Sequence, residues 1–288
     1  VMEKNEKKQV RPLQQQSRPG SEEQLSPPAE TQPISYPPEG KLANKVCLIT
    51  GGDSGIGKAV SLLFAKEGAD IAIAYLSETE DAAQTQEEIK AMGKSCLLIK
   101  ADLGEETNCK KAIEKTIQQF GRVDILINNA ALHWDADSIL DISTEQLINT
   151  FNANFFSYFW LTKYTLPHLK EGSCIINTTS VTAYRGSPQL IDYSATKGAI
   201  VTFTRSLALN LIDKGIRVNA VAPGPIWTPL IASSFDPKKV SEFGSDSPMK
   251  RAGQPNEVAP CFLFLASEDA SYISGQVLHP NGGEIING

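Results

Sequence analysis

The sequence predicts an α/β protein built as one doubly wound domain, with a mostly parallel sheet and helices on both faces. From residue 45 onward, short apolar runs alternate with amphipathic stretches that have helical spacing. Such alternation is typical of a parallel sheet that is covered on both sides. In addition, the first apolar run ends in a glycine-rich turn that opens a helix, which is how a βαβ unit begins.

The elements follow from these runs in chain order. The predicted strands span residues 46–50, 70–76, 95–100, 123–128, 174–180, 216–222 and 276–279. Helices follow the first three strands and end near residues 68, 92 and 120, while later helices span about 144–170, 193–213 and 257–266. The predicted body therefore covers residues 45–288. We expect a mobile lid at about 225–255, because this stretch is rich in Gly, Pro, Ser and charge.

Residues 1–44 differ from the body in composition. Seven of the 17 prolines lie there, together with Gln14, Gln15 and Gln16. A segment of this kind cannot form a core of its own. We expect either a disordered leader or an extended segment that wraps the body or a neighbouring subunit through Leu25, Ile34 and Tyr36.

Composition argues against several classes of partner. The net charge of -6 disfavours a nucleic-acid or anionic-membrane partner, which would call for a basic surface. No run approaches the roughly 20 apolar residues that span a bilayer, and the N-terminus lacks a signal-peptide core. Five cysteines without a C-x-x-C pair indicate reduced thiols in a cytoplasmic protein. The three histidines lack metal-ligand spacing, so we expect no metal. His133 and Trp134 follow the fourth predicted strand, where they either reach the substrate or belong to a surface loop.

The glycine-rich turn at the end of the first strand predicts a dinucleotide site. Gly51, Gly55 and Gly57 leave backbone N–H groups and the positive end of a helix dipole free to bind a pyrophosphate. A lone glycine pattern is weak, but this one lies on the first strand and first helix of a βαβ unit, the context that such a site requires.

Tyr193 and Lys197 are the strongest chemical signal, because residues four apart share one face of a helix. Oxidation of an alcohol needs a base for the hydroxyl proton, and reduction of a carbonyl needs the same group as an acid. A free tyrosine has a pKa near 10, so a lysine cation beside it favours the phenolate. Ser180, which closes a strand, and Asn154, in an aromatic-rich helix, accompany this pair.

The ordered motifs resemble the short-chain dehydrogenase/reductase family, whose fold is of the Rossmann type. The resemblance starts at Thr-Gly-x-x-x-Gly-Ile-Gly, residues 50–57, and extends over residues 45–288. It continues through Asp102-Leu103, Asn128-Asn129-Ala130, Asn154, Ser180, Tyr193 with Lys197, and Pro223-Gly224 with Thr228. One departure is Ala131, where the family usually has glycine. The Pro-rich leader and Gly-Gly-Asp-Ser-Gly-Ile-Gly resemble a subgroup described as glucose and ribitol dehydrogenases or general stress oxidoreductases.

The resemblance implies hydride transfer between NAD(P) and a small alcohol or carbonyl substrate, with a sugar or polyol as the substrate class of the subgroup. Tyr193 is then the acid and base, Lys197 its cationic neighbour, Ser180 the group that polarises the substrate oxygen, and Asn154 the holder of a water on the proton path. The implied cofactor-binding residues are Gly51, Asp53, Ser54, Gly55, Ile56, Gly57, Tyr75, Asp102, Leu103, Asn128, Ala130, Tyr193, Lys197, Pro223, Gly224, Ile226 and Thr228. Asp102 and Asn128 also suit a structural role as turn formers at strand ends.

The choice of cofactor rests on the end of the second strand, where an acidic residue binds a ribose diol and a basic one binds a 2'-phosphate. Tyr75-Leu76 provides neither. Asp53 adds negative charge, Ser54 stands where phosphate-preferring relatives often place arginine, and no Arg or Lys occurs between Tyr75 and Lys90. We favour NAD, with NADP still open.

Two alternatives to this function remain. A reductase of ketones or 3-oxoacyl thioesters uses the same catalytic groups, and a dinucleotide-binding sensor would keep the fold without turnover.

The family resemblance and an excess of aromatic side chains on one long helix predict a homotetramer, unless these rings all fill the core. The rings belong to Phe151, Phe155, Phe156, Phe159 and Trp160.

Overall fold

The structure is a computed structural model, and it describes residues 12–18, 22, 24 and 26–286. The chain divides into two compact units, residues 1–35 and 36–288. Within the first unit, Gln14 Nε2 donates a hydrogen bond to the Ser26 carbonyl oxygen at 2.5 Å. Ile34 is half exposed, and Leu25 lies outside the described residues.

The second unit begins with a segment that is anchored to the body. The Tyr36 hydroxyl donates to Asp269 Oδ1 at 2.8 Å, and the Lys41 ammonium forms an ion pair with the same carboxylate. Leu42 is buried in the core. We grouped residues 36–44 with the leader because of their composition. In the structure they pack in the same unit as the sheet.

The described part of the chain forms one parallel sheet of seven strands in the order β3-β2-β1-β4-β5-β6-β7. This confirms the predicted α/β fold, and the sheet is wholly rather than mostly parallel. The strands are β1 Val46–Thr50, β2 Asp70–Tyr75, β3 Cys96–Lys100, β4 Ile125–Asn128, β5 Cys174–Thr178, β6 Arg217–Val221 and β7 Val277–Leu278.

Helices cover both faces of this sheet. The first five are α1 Gly55–Lys66, α2 Thr79–Ala91, α3 Glu106–Phe120, α4 Thr144–Phe151 and α5 Ser157–Thr165. They are followed by α6 Thr182–Arg185, α7 Ile191–Leu211, α8 Pro229–Ser234, α9 Pro237–Glu242 and α10 Pro255–Ala266. The helix that we predicted at 144–170 is interrupted, because a π-helical turn at Asn152–Phe156 separates α4 from α5. No helix among the described residues is long and apolar enough to span a membrane.

The sequences of the strands are continuous apolar runs because both faces of the sheet are buried. Alternate side chains of β1 illustrate this: Cys47 and Ile49 belong to one core cluster, which includes α1 and α10, while Leu48 belongs to the other, which includes α3, α5 and α7. The chain crosses from β3 at one edge back to β4, next to β1. At such a switch point the loops after neighbouring strands diverge and leave a crevice at the carboxyl ends.

Candidate active site

A cavity of about 350 Å³ lies at this crevice. Its walls come from the segments that follow the carboxyl ends of β1, β4, β5 and β6, together with α7 and the segment around α8. Parallel strands bring these segments to one edge of the sheet although they are far apart in the chain. The fold thereby assembles residues from four separate loops around one space.

The turn after β1 has the shape of a phosphate cradle. Gly51 and Gly55 have positive φ angles of 62° and 50°. A Cβ on Gly57 would lie 1.8 Å from the Gly51 carbonyl oxygen, so this close approach requires glycine. Ser54 precedes α1 without a side-chain capping bond within the described residues, which leaves the first-turn N–H groups of the helix available. These groups and the helix dipole suit a dinucleotide pyrophosphate, so the residues present fit such a cofactor.

Tyr193 and Lys197 meet at the cavity as their helical spacing predicts. Both line it, and Lys197 Nζ lies 5.3 Å from the centroid of the Tyr193 ring. Lys197 is fully buried and donates from Nζ to the Thr178 carbonyl oxygen at 2.9 Å. Ser180 lies in the same wall and hydrogen-bonds Tyr193. The structure therefore brings three of the four predicted catalytic residues together.

Burial has the largest effect on the pKa values of Tyr193 and Lys197. It raises the pKa of Tyr193 to about 12, and the hydrogen bond with Ser180 offsets part of that rise. It lowers the pKa of Lys197 to about 7, because an enclosed ammonium loses its hydration. The net direction for Tyr193 is opposite to the one that we expected from the Lys197 charge alone. The desolvated cavity holds the tyrosine as a phenol, which is a proton donor.

Asn154 lies beside the cavity and not in its wall. It sits in the π-helical turn, fully buried, where its Oδ1 accepts from Leu132 N at 2.8 Å and its Nδ2 donates to the Leu132 carbonyl oxygen at 2.8 Å. Nδ2 also lies 3.3 Å from Thr196 Oγ1 on α7. The side chain thus ties the segment after β4 to α7, and its predicted part in a proton path stays a prediction.

The predicted cofactor residues fall into two groups. Those in the cavity wall are Gly51, Ser54, Gly55, Ile56, Ala130, Tyr193, Lys197, Pro223, Gly224, Ile226 and Thr228. Those outside it are Asp53, Gly57, Tyr75, Asp102, Leu103 and Asn128. Two of the outer group have structural contacts: Asp102 Oδ1 accepts from Gly104 N at 2.9 Å, and Asn128 Nδ2 donates to Asn177 Oδ1 at 2.9 Å.

The sequence analysis missed one feature of the site and left another open. The missed feature is Thr50, whose Oγ1 accepts from the N–H groups of Asn129 and Ala130 at 2.8 and 2.9 Å and so fixes the loop after β4 against the glycine turn. The open one is His133, for which the sequence allowed either a substrate contact or a surface loop. It is buried in the cavity wall with its ring centroid 5.2 Å from that of Tyr193.

A dinucleotide turn that shares one cavity with a tyrosine and a lysine defines a Rossmann-type oxidoreductase that uses a nicotinamide cofactor. The family model described as Enoyl-(Acyl carrier protein) reductase matches residues 51–284. The chain is also 52% identical over 286 residues to the glucose and ribitol dehydrogenase of Daucus carota, covering 97% of this chain and 98% of that protein. The chain belongs to the short-chain dehydrogenase/reductase family.

Solved structures agree with this assignment. A short-chain dehydrogenase from Burkholderia cenocepacia J2315 in complex with NADP has a TM-score of 0.80 at 31% identity, covering 84% of this chain and 98% of that one. A 3-ketoacyl-(acyl-carrier-protein) reductase from Brucella melitensis complexed with NADH has a TM-score of 0.77 at 33% identity, with the same coverage. Similar structures therefore contain both kinds of cofactor.

Proposed function

We propose that Tyr193, Lys197, Ser180 and Asn154 carry out hydride transfer between a nicotinamide cofactor and a small alcohol or carbonyl substrate. The observation that supports this most directly is the shared cavity, which is lined both by the glycine turn and by Tyr193 with its Ser180 partner. A pure binding protein has no need of a buried lysine beside a tyrosine that lines the cofactor cavity.

The bound cofactor supplies the hydride acceptor in oxidation and the hydride donor in reduction. In reduction, the Tyr193 hydroxyl gives its proton to the carbonyl oxygen while the carbonyl carbon receives hydride. In oxidation, the alcohol carbon loses hydride and its hydroxyl proton passes to the Tyr193 oxygen. Ser180 donates a hydrogen bond to the substrate oxygen, and Asn154 acts through Leu132 and Thr196 by holding the segment after β4 in place.

Residues at the pyrophosphate end suit the cofactor. The N–H groups of the first turn of α1 would bind the pyrophosphate, and Lys197 would reach the nicotinamide ribose. Pro223, Gly224 and Ile226 lie after β6 in the same wall and would hold the nicotinamide end. A Cβ on Gly224 would lie 2.7 Å from the Asn281 backbone, so this turn also depends on glycine.

We propose that NAD is preferred over NADP. Asp53 is buried, and its pKa is raised by burial and by the nearby charges of Glu78 and Asp81. Glu78 follows the end of β2, where the adenosine ribose is recognised in this fold. A 2'-phosphate would have to approach these carboxylates, whereas a ribose diol can donate to them. Binding titrations with both cofactors test this, and equal affinity for NADP would contradict it.

A sugar or polyol is the proposed substrate class. The Daucus carota relative is named a glucose and ribitol dehydrogenase, and Thr182, Arg185 and Ser187 contribute polar groups to the cavity wall. Phe235 and Phe243 also line the cavity and offer apolar rings against which a sugar can pack. The residues of the proposed lid therefore contribute to specificity.

A homotetramer is the proposed assembly. Phe156 and Phe159 are exposed, and Phe159 packs against Phe203 of α7 with ring centroids 5.8 Å apart. Leu209, further along α7, is also exposed. An apolar surface of this kind across α5 and α7 suits contact with a second copy of the chain.

The test of the reaction is the change in absorbance of the reduced nicotinamide, with NAD and NADP each offered against sugars, polyols, ketones and a 3-oxoacyl thioester. Turnover of sugars or polyols supports the proposal. Turnover of the thioester alone would favour the 3-oxoacyl reductase alternative, and cofactor binding without turnover of any substrate would favour the sensor.

A further inference from the structure

His133 is an unpaired polar group in the wall of the cavity. It lies five residues after the end of β4 and is only 6% exposed. Its Nδ1 is enclosed and has no hydrogen-bond partner in the part of the chain that the structure describes. Buried polar atoms are nearly always hydrogen-bonded, so this nitrogen calls for an explanation.

The surroundings of the ring are aromatic. The centroid of His133 lies 5.2 Å from that of Tyr193 in an edge-on arrangement, and 5.3 Å from that of Phe235. Burial lowers the pKa of His133 to about 4, and the positive charge of Lys197 acts in the same direction. The imidazole is therefore neutral near neutral pH, with one nitrogen as a donor and the other as an acceptor.

Two contacts hold His133 in position. Its own segment is tied to α9 by the ion pair between Asp135 Oδ2 and Lys239 Nζ at 2.8 Å. Phe235, between α8 and α9, packs against the imidazole with ring centroids 5.3 Å apart. A side chain fixed in this way loses little further freedom when it forms a hydrogen bond to a ligand.

A second unpaired atom lies in the same wall. Thr182 Oγ1 is enclosed and, across the described ranges, likewise has no hydrogen-bond partner. Both residues line the cavity together with Tyr193. Water or ligand hydroxyl groups can satisfy such atoms, because a hydroxyl both donates and accepts. The cavity wall therefore carries two unpaired polar groups in addition to Tyr193.

We propose that His133 is a specificity-determining residue that hydrogen-bonds a second hydroxyl of the substrate, on the carbon next to the reacting one. The inference rests on the proposed function, because it takes Tyr193 as the group that holds the reacting oxygen. The rings of His133 and Tyr193 meet edge-on and line the same cavity, so a substrate whose reacting oxygen is bound to Tyr193 also lies close to the imidazole. The substrates selected in this way are vicinal diols and the corresponding 2-hydroxy carbonyl compounds.

The test compares substrate pairs that differ only in the second hydroxyl: propane-1,2-diol with propan-2-ol, and hydroxyacetone with acetone. His133→Phe keeps an aromatic ring and removes both nitrogens. We expect it to lower kcat/KM for the hydroxylated member about tenfold to hundredfold and to leave the other member nearly unchanged. His133→Asn, which restores a donor and an acceptor, is expected to recover part of the preference. His168→Phe makes the same change at an exposed histidine and serves as the matched control.

The outcomes separate this inference from the proposed function. An unchanged preference in active His133→Phe overturns the inference alone. An equal fall for both members of a pair also overturns it, because the histidine would then act by orienting Tyr193. A wild-type protein that turns over neither member of either pair, nor any other alcohol or carbonyl compound, overturns the proposed function and this inference with it.

Discussion

Tyr193→Phe removes the proton relay and little else. The variant keeps the ring that contacts His133 and Lys197 and loses only the hydroxyl with its Ser180 hydrogen bond. A positioned acid or base contributes roughly 10²- to 10⁴-fold to a rate. The expected loss in kcat is therefore about 3 to 5 kcal/mol of transition-state stabilisation. Cofactor affinity should change by no more than about fivefold, because the loss of one neutral hydrogen bond costs about 1 kcal/mol.

The assay follows reduced nicotinamide absorbance for turnover and a fluorescence titration for cofactor affinity. Tyr158→Phe is the matched control, because the Tyr158 ring also lies near Lys197 Nζ, at 5.6 Å, but does not line the cavity. Its hydroxyl is 3.5 Å from the Thr178 carbonyl oxygen, a weak contact, so turnover should be nearly preserved. A kcat for Tyr193→Phe within about tenfold of wild type would refute the assignment of Tyr193 as acid and base.

Three further changes have defined outcomes. Gly57→Ala puts a Cβ 1.8 Å from a backbone oxygen of the turn and should weaken cofactor binding at least about tenfold in a titration. Gly198→Ala should not weaken it, because a Cβ there would meet no atom of another described segment within 4 Å. The pKa of Lys197 is lowered to about 7, so its cation is present below that pH and lost above it. We therefore expect kcat/KM for carbonyl reduction to fall as pH rises through about 7. A pH profile that stays flat up to about pH 10 would contradict this. Phe159→Asp should reduce the mass of the assembly measured by light scattering, whereas Tyr272→Asp, a change at another exposed ring, should not. A wild-type protein with the mass of a monomer would rule out the tetramer.

The fold was predictable because its strands are buried on both faces. The apolar run predicted at 46–50 is β1, and the runs at 70–76 and 174–180 each extend only a little beyond β2 and β5. The break in the helix predicted at 144–170 was not predictable. Every residue of Asn152–Phe156 is compatible with a continuous α-helix, and the π-helical turn places Asn154 opposite Leu132, a contact that no local pattern encodes.

The site, like the fold, has some residues whose positions follow from local sequence and others whose positions depend on distant packing. Tyr193 and Lys197 were predictable because helical spacing alone puts them on one face. For His133 the sequence left a substrate contact and a surface loop both open, because its burial depends on Phe235, which is about 100 residues away and contacts it through the packing of two irregular segments. The pKa of Tyr193 was misjudged for a related reason: sequence shows which charge is near, whereas desolvation depends on how completely the chain encloses the group.

Desolvation also explains why the end of β5 is central to the site. Burial opposes the charged forms of both Tyr193 and Lys197, so each charge needs a partner from the protein. The Thr178 carbonyl oxygen accepts from the Lys197 ammonium, and the Ser180 hydroxyl bonds the Tyr193 oxygen. These partners are two residues apart on one chain segment. A slip of one residue in the register of β5 against β4 would move Thr178, and Ser180 just after the strand, away from Lys197 and Tyr193. The pairing of Asn128 with Asn177 opposes that slip, because their buried amide groups meet only in the native register.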